Sequence, residues 1–171
     1  MKNLFIAFGF LFFISCASPQ SAIDYCHLAD KQAAKDKSKT EAKANYLKAL
    51  QIDSSSVEAY DGLGRLLMSS PDMNELKMAN DYFDKALKIN PKYSPAWYHK
   101  GMTYAREVKF NDAIAAYDNA LHLEPGNADY FYARAVVYIN SGNTQKGYED
   151  FRRSCEFGNM NACRIVRAVG K

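Results

Sequence analysis

The chain of 171 residues allows one compact domain or one short array of repeats. Its 22 Lys and Arg against 19 Asp and Glu leave a net charge of +3. No basic cluster is interleaved with aromatics, which excludes the electrostatic footprint of a nucleic-acid binder. A hydrophobic content of 48% is that of a folded protein, and aromatics at 13%, with twelve Tyr, are abundant.

The first residues do not read as part of a fold. Lys2 supplies a positive start and Leu4–Ile14 is an apolar run. Eleven helical residues span about 16 Å, well short of a hydrocarbon core of about 30 Å. The pattern therefore predicts an export signal over residues 1–15 rather than a membrane span. It ends in Phe13-Ile14-Ser15-Cys16, with a small residue directly before the cysteine. That ending resembles a bacterial lipobox, with Phe13 where Leu is commoner. The resemblance implies cleavage before Cys16, a diacylglyceryl group on its sulfur, and a fatty acyl group such as palmitate on the new amine. The alternative is a plain secretory signal with a chance cysteine. Residues 16–22 then form the lipidated Cys16 and a polar tether. Six extended residues reach roughly 20 Å, so the folded part sits close to the bilayer. Ala17 stands where some envelope lipoproteins carry an inner-membrane retention Asp. For a cell with two membranes, the resemblance implies the outer membrane, facing the periplasm.

From there the chain reads as helices in pairs. Ile23–Asp36 is predicted as a first, poorly patterned helix and Thr40–Ile52 as its partner. Ser56–Met68 pairs with Met73–Ile89. The next pair is the clearest. Ser94 is predicted to cap its first helix, with Pro95 in the first turn, where a missing N–H costs nothing. Trp97, Gly101 and Tyr104 then share one face. Ala113, Tyr117 and Ala120 form the inner face of the second helix, which Pro125-Gly126 ends. Gly101 and Ala113 are small enough to let the two helices approach closely. Asn127–Asn140 and Thr144–Phe157 make a further pair, and Asn159–Val169 a last helix that covers it.

The pairs repeat. Trp97, Lys100-Gly101, Tyr104, Ala113, Tyr117, Ala120 and Pro125 recur about 34 residues later as Phe131, Ala135, Tyr138, Gly147 and Phe151. They recur one such step earlier as Ala79, Phe83, Ala86 and Pro91, and a slightly longer step earlier again as Ala42, Tyr46 and Ala49. The extra residues fall in the loop-like stretch Ser69-Ser70-Pro71-Asp72. This pattern resembles the tetratricopeptide repeat (TPR) family, with Lys100 where Leu is usual. The resemblance implies an all-α, right-handed α-solenoid of helix–turn–helix units. The units are a degenerate repeat over residues 23–56, repeats over 57–93, 94–127 and 128–158, and a capping helix over 159–171. In the first, the repeat offsets fall on Cys26, Asp30 and Ala33, as expected of a terminal repeat with one face in water.

Cys155 and Cys163 bracket Gly158-Asn159. On one continuous helix their Cα atoms would lie about 12 Å apart, too far for a disulfide. With a turn at Gly158 they face each other. The spacing resembles cysteine-rich bacterial proteins built from TPR-like hairpins, and that resemblance implies an oxidised pair. The alternative is two buried free thiols. Cys26 is left over and reads as a buried thiol.

Chemistry is otherwise absent from the pattern. The three His have no metal spacing, and there is no phosphate loop or nucleophile elbow. Asp112 and Asp118 read as solvated. No catalytic residue, metal or cofactor is expected. In the TPR family the first helix of each unit lines a concave groove that binds a protein or peptide. Carried over, the groove positions are Asp61, Arg65 and Met68, then Tyr98, Met102 and Arg106, then Tyr132, Val136 and Asn140. These would face solvent in the free chain, so that Tyr98→Ala and Arg106→Ala spare the fold. The alternative for Tyr132 is a ring packed between helices. The family's clamp for C-terminal carboxylates needs Lys and Asn that are missing here. The expected function is therefore a lipid-anchored envelope scaffold or assembly factor, held at the membrane by Cys16, that binds another protein. A pilotin-like escort of a secretion or pilus subunit is a narrower alternative, and a cell-wall-acting enzyme a distant one.

Overall fold

The computed structural model describes residues 21–34 and 39–169. The signal segment, Cys16 and most of the tether lie outside the described residues. Nine helices are described: α1 (Ala22–Ala33), α2 (Lys39–Ile52), α3 (Val57–Met68), α4 (Met73–Ile89), α5 (Ser94–Arg106), α6 (Phe110–Leu123), α7 (Ala128–Asn140), α8 (Thr144–Glu156) and α9 (Met160–Val169). Consecutive helices pair as antiparallel hairpins. The inner layer is α1, α3, α5 and α7, each touching the next, and the outer layer is α2, α4, α6 and α8.

Helix starts are set by local chemistry. Ser21 and Asp24 form a reciprocal capping box on α1. Ser56, Asp72, Asn127 and Asn143 cap α3, α4, α7 and α8 by accepting backbone N–H bonds. Each such cap is worth about 1 kcal/mol. Ser94 does not act as the cap expected from sequence. Tyr93 precedes α5 without any side-chain cap, and Ser94 is its first, buried residue. The Ser94 hydroxyl donates to Glu124 and accepts from the Tyr130 hydroxyl. Pro95 leaves no N–H there to satisfy, so the serine is free to tie α5 to the end of α6 and to α7.

The hairpins close on one repeated contact. The ring of Phe83 in α4 lies on Gly64 of α3, and the ring of Tyr117 in α6 on Gly101 of α5. A Cβ added at Gly64 would stand 2.4 Å from Phe83, and one at Gly101 2.5 Å from Tyr117. Phe151 of α8 packs with Ala135 of α7 in the same register. All three rings are buried. The first hairpin departs from this. Tyr46 holds the ring position, but Asp30 stands in place of the glycine and accepts the Tyr46 hydroxyl. The buried stripe of α1 is instead Ala22, Cys26 and Ala29. Cys26 is buried, and burial pushes its thiol above the usual range.

The seams between hairpins explain Lys100. Asp84 of α4 pairs with Lys100 of α5, and one repeat further on Asp118 of α6 pairs with Arg134 of α7. One turn along each seam, Thr103 meets Asn80, and Val137 packs with Ile114. In the first seam the positions of Lys100 and Thr103 are Leu63 and Leu66, both in one apolar cluster, and the position of Asp84 is Leu47. Leu is therefore replaced by a cation only where the facing Leu is replaced by Asp. Each cation also lies between two rings, Lys100 at 5.9 Å from Trp97 and 5.6 Å from Tyr104, Arg134 at 5.6 Å from Phe131 and 5.7 Å from Tyr138. Asp118 is about half exposed as expected of a solvated face, yet it is bonded.

Gly158 turns the chain at a positive φ of 99° and Asn159 caps α9. The helix lies on α8, with Ala162, Ile165 and Val166 against the Ala135 and Phe151 cluster. Cys155 and Cys163 are bonded, their Cα atoms 4.6 Å apart. A covalent loop of this length contributes roughly 2–3 kcal/mol in the chain-entropy model. Solenoid contacts join neighbours only, so its loss acts locally. Reduction is expected to raise hydrogen exchange in α9 first and leave α5 and α6 protected; equal exchange in α9 before and after reduction would contradict this.

The ring-on-glycine contact makes a second expectation. Gly101→Val should lower stability by about 1–3 kcal/mol, because the Tyr117 ring must move. Gly126→Ala, whose added Cβ meets Phe157 at an ordinary 3.7 Å, should change stability by no more than about 0.5 kcal/mol. Urea midpoints of the two variants check this.

Candidate partner-binding face

The inner layer presents one continuous face, and its character changes along the array. At the α1 end it is charged. Asp61 of α3 is buried, and its carboxylate is shared between Arg65 and His99. Arg65 Nε, one turn on, donates to Oδ2 at 3.0 Å, and His99 Nδ1 of α5 lies 2.7 Å from Oδ1. Arg65 Nη2 reaches across to Asp30 of α1 at 2.6 Å. The chain Asp30–Arg65–Asp61–His99 thus stitches three inner helices together. Burial opposes the charge on Arg65, but its bonds to Asp30 and Asp61 prevail and hold the guanidinium above its ordinary range. Burial, and then donation to Asp30, push the Tyr46 phenol up as well. Beside this network Asp30, Lys39, Tyr46, Arg65 and Ser69 line a cleft of about 400 Å³ between α1, α2 and α3.

Toward the middle the face becomes aromatic. Tyr98 of α5 stacks on Tyr130 of α7 at 4.8 Å and meets the rings of His99 at 5.4 Å and Tyr117 at 5.9 Å. Burial raises the phenol pKa of both Tyr98 and Tyr130. Beyond it, Val136 and Asn140 of α7 are exposed.

The nine residues placed in the groove by sequence divide accordingly. Arg106, Val136 and Asn140 are exposed, and Arg65, Met68 and Met102 half-buried. Asp61 does not face solvent: it is 3% exposed and committed to Arg65 and His99. Tyr98 and Tyr132 are packed rather than free. Tyr132 stands edge-on to Phe151 at 5.4 Å and joins the cluster under α9. Arg106 is exposed but not idle, since its guanidinium donates to the carbonyls of Met68 and Ser70 and clamps the long α3–α4 turn. Asp30, Tyr46 and His99 belong to the face and were missed by sequence reasoning. The repeat pattern marks Asp30 and Tyr46 only as packing positions and His99 not at all. The bonds that Asp30 and His99 make to α3 join different hairpins, so spacing within a repeat carries no signal for them. Among the described residues no group of three His, Cys, Asp or Glu is placed to hold a metal, and no helix is long and apolar enough to cross a membrane.

A family model described as tetratricopeptide repeat matches residues 82–115. The fold is a tetratricopeptide-repeat solenoid. A TPR protein of Thermus thermophilus superposes with a TM-score of 0.78 at 20% identity, covering 88% of this chain and 82% of that one. Pseudomonas aeruginosa PilF superposes at 0.73 and 21% identity, covering 80% and 61%. Among curated proteins, the peroxisomal targeting signal receptor of Komagataella phaffii is 31% identical over 99 residues, 58% of this chain and 17% of the receptor. Human tetratricopeptide repeat protein 6 is 32% identical over 102 residues, 60% of this chain and 20% of that protein. The chain spans about a fifth or less of the length of these curated relatives. A glycosyltransferase of Giardia intestinalis also matches, over 8% of its length. TPR solenoids are interaction scaffolds, and what this chain shares with such enzymes is repeat, not catalytic domain.

The packing of Tyr98 reverses the sequence-based expectation for its removal. Tyr98→Ala should cost about 1–3 kcal/mol, since it strips a half-buried ring from three others. Val136→Asn should change stability by no more than about 0.5 kcal/mol. Thermal melts that move equally for both would show that Tyr98 is not part of the packed layer.

Proposed function

We propose that this chain is a lipid-anchored protein of the bacterial cell envelope that holds another protein on its inner face. The observation that carries the reading is the inner face itself. Its floor is locked by the Asp61 network and the Tyr98–Tyr130 stack, while Arg106, Val136 and Asn140 stand exposed around it. A preformed surface of this kind loses little freedom on binding, which favours affinity. Arg and aromatic groups at its centre are the types enriched at interface hot spots.

Anchoring follows from the lipobox-like Cys16 and the short tether after it, with the outer membrane facing the periplasm as the site in a cell with two membranes. The anchor concentrates and orients the binding face at the bilayer surface, so the protein works by placement rather than by catalysis. Oxidation of Cys155 and Cys163 fits that compartment, where disulfides persist. Escort of a secretion or pilus subunit is a narrower form of the same reading. The likeness to PilF supports the shape for it and nothing finer.

Two substitutions test the proposal separately. Cys16→Ala should move the protein from the detergent-rich to the aqueous phase on partitioning. Continued membrane partitioning of a chain still cleaved before residue 16 would refute the anchor. Val136→Asp should weaken a copurifying partner by about 1–2 kcal/mol or more at an unchanged melting temperature. An unchanged affinity would remove Val136 and its surroundings from the binding face.

A further inference from the structure

The seam between α8 and α9 breaks the rule that the other seams keep. The caps fix the register. Asn127 before α7 and Asn159 before α9 each accept two backbone N–H bonds, from the second and third residues beyond. In that register Arg134 and Val137 of α7 correspond to Val166 and Val169 of α9. Ile114 and Asp118 of α6 correspond to Tyr148 and Arg152 of α8. These four residues, Tyr148, Arg152, Val166 and Val169, line one open cavity of about 320 Å³.

At the α4–α5 and α6–α7 seams the position of Arg152 is an acid, Asp84 or Asp118, bound to the cation opposite. Here it is a cation facing Val166, and Arg152 has no hydrogen-bond or ion-pair partner among the described residues. Glu149 and Glu156 lie within a turn on α8, and neither bonds it. The α7 seam is also closed from outside. Asp150 of the following outer helix grips Arg134 at 2.7 and 2.8 Å. No described helix lies in the matching place over α9, and Val169 is 53% exposed.

The α9 side of this place is positive. Arg164 and Arg167 are exposed, and the helix carries no acid. Arg167 holds the position of Ala135, the small residue that lets α8 approach α7 closely. An apolar helix packed as tightly as α8 is therefore excluded, whereas a helix bearing carboxylates fits.

We propose that this seat binds an acidic amphipathic helix of a partner protein, which lies where the outer helix of a further repeat would. Its apolar side chains rest on Tyr148, Val166 and Val169, and its carboxylates pair with Arg152 and Arg167. This is helix-in-groove recognition with charge complementarity setting the choice of partner. It is independent of the inner face and of what that face binds.

The test uses the full-length chain and a fluorescent, end-capped helical peptide with Leu along one stripe and Glu along its flanks. The peptide should bind, and Arg152→Glu should weaken it by about tenfold or more. A Lys-for-Glu version should prefer the Arg152→Glu chain. Arg153→Glu, the same charge change one residue outside the seat, should shift affinity by no more than about twofold. Circular dichroism should show equal helicity for both variants, since both side chains are exposed. Equal binding of the Glu and Lys peptides, equal effects of the two variants, or no binding would overturn the proposal. Self-association in sedimentation that Arg152→Glu abolishes and the peptide competes away would overturn it too, by making a second copy the occupant.

Discussion

A ring laid on a glycine is the contact on which this molecule depends. Where Phe83 covers Gly64 and Tyr117 covers Gly101, the outer helix can approach the inner one only because no Cβ intervenes. That approach brings the hairpin to a fixed spacing. The fixed spacing in turn lets Asp84 reach Lys100 and Asp118 reach Arg134 across the seams. No hairpin buries its apolar faces alone, so stability is passed between neighbours, and each end of the array needs its own solution. At one end Asp30 and Tyr46 replace the ring-on-glycine contact with a hydrogen bond. At the other, α9 lies over the last cluster under a covalent tie.

The repeat was legible because its marked residues are constrained by volume. A glycine under a ring, or an alanine between helices, tolerates few alternatives, so spacing alone finds them. Charges were less legible. Lys100 departs from the repeat within its own helix, and Asp84 opposite it accounts for the departure through a pairing that belongs to the seam. Ser94 looked like a cap, and the structure uses it to join three helices instead. The inner face was the hardest part. Family positions point to α3, α5 and α7, but exposure does not follow from position. Asp61 is buried because Arg65 and His99 satisfy it, and Tyr98 because Tyr130 lies beside it. His99 and Tyr130 stand at no marked repeat position.

This distribution of packing and exposure bears on function. The inner face is held rigid by groups that a ligand need not touch, and presents a smaller set that it can. Arg106 does both, since clamping the α3–α4 turn also fixes where its own aliphatic stem lies. On the proposed reading such a face would recognise a partner by shape and by a few central groups, without ordering itself on contact. The proposed placement at a membrane surface would add local concentration to that binding.

The central claim is that a protein partner lies along the inner layer. Photo-crosslinking in intact envelopes tests it most directly, with the reactive residue placed in turn at Val136 and Asn140 on the inner face and at Asp81 and Asn119 on the exposed outer helices. One discrete protein adduct is expected from the inner positions and none from the outer ones. Adducts from Asp81 and Asn119 alone would contradict the claim.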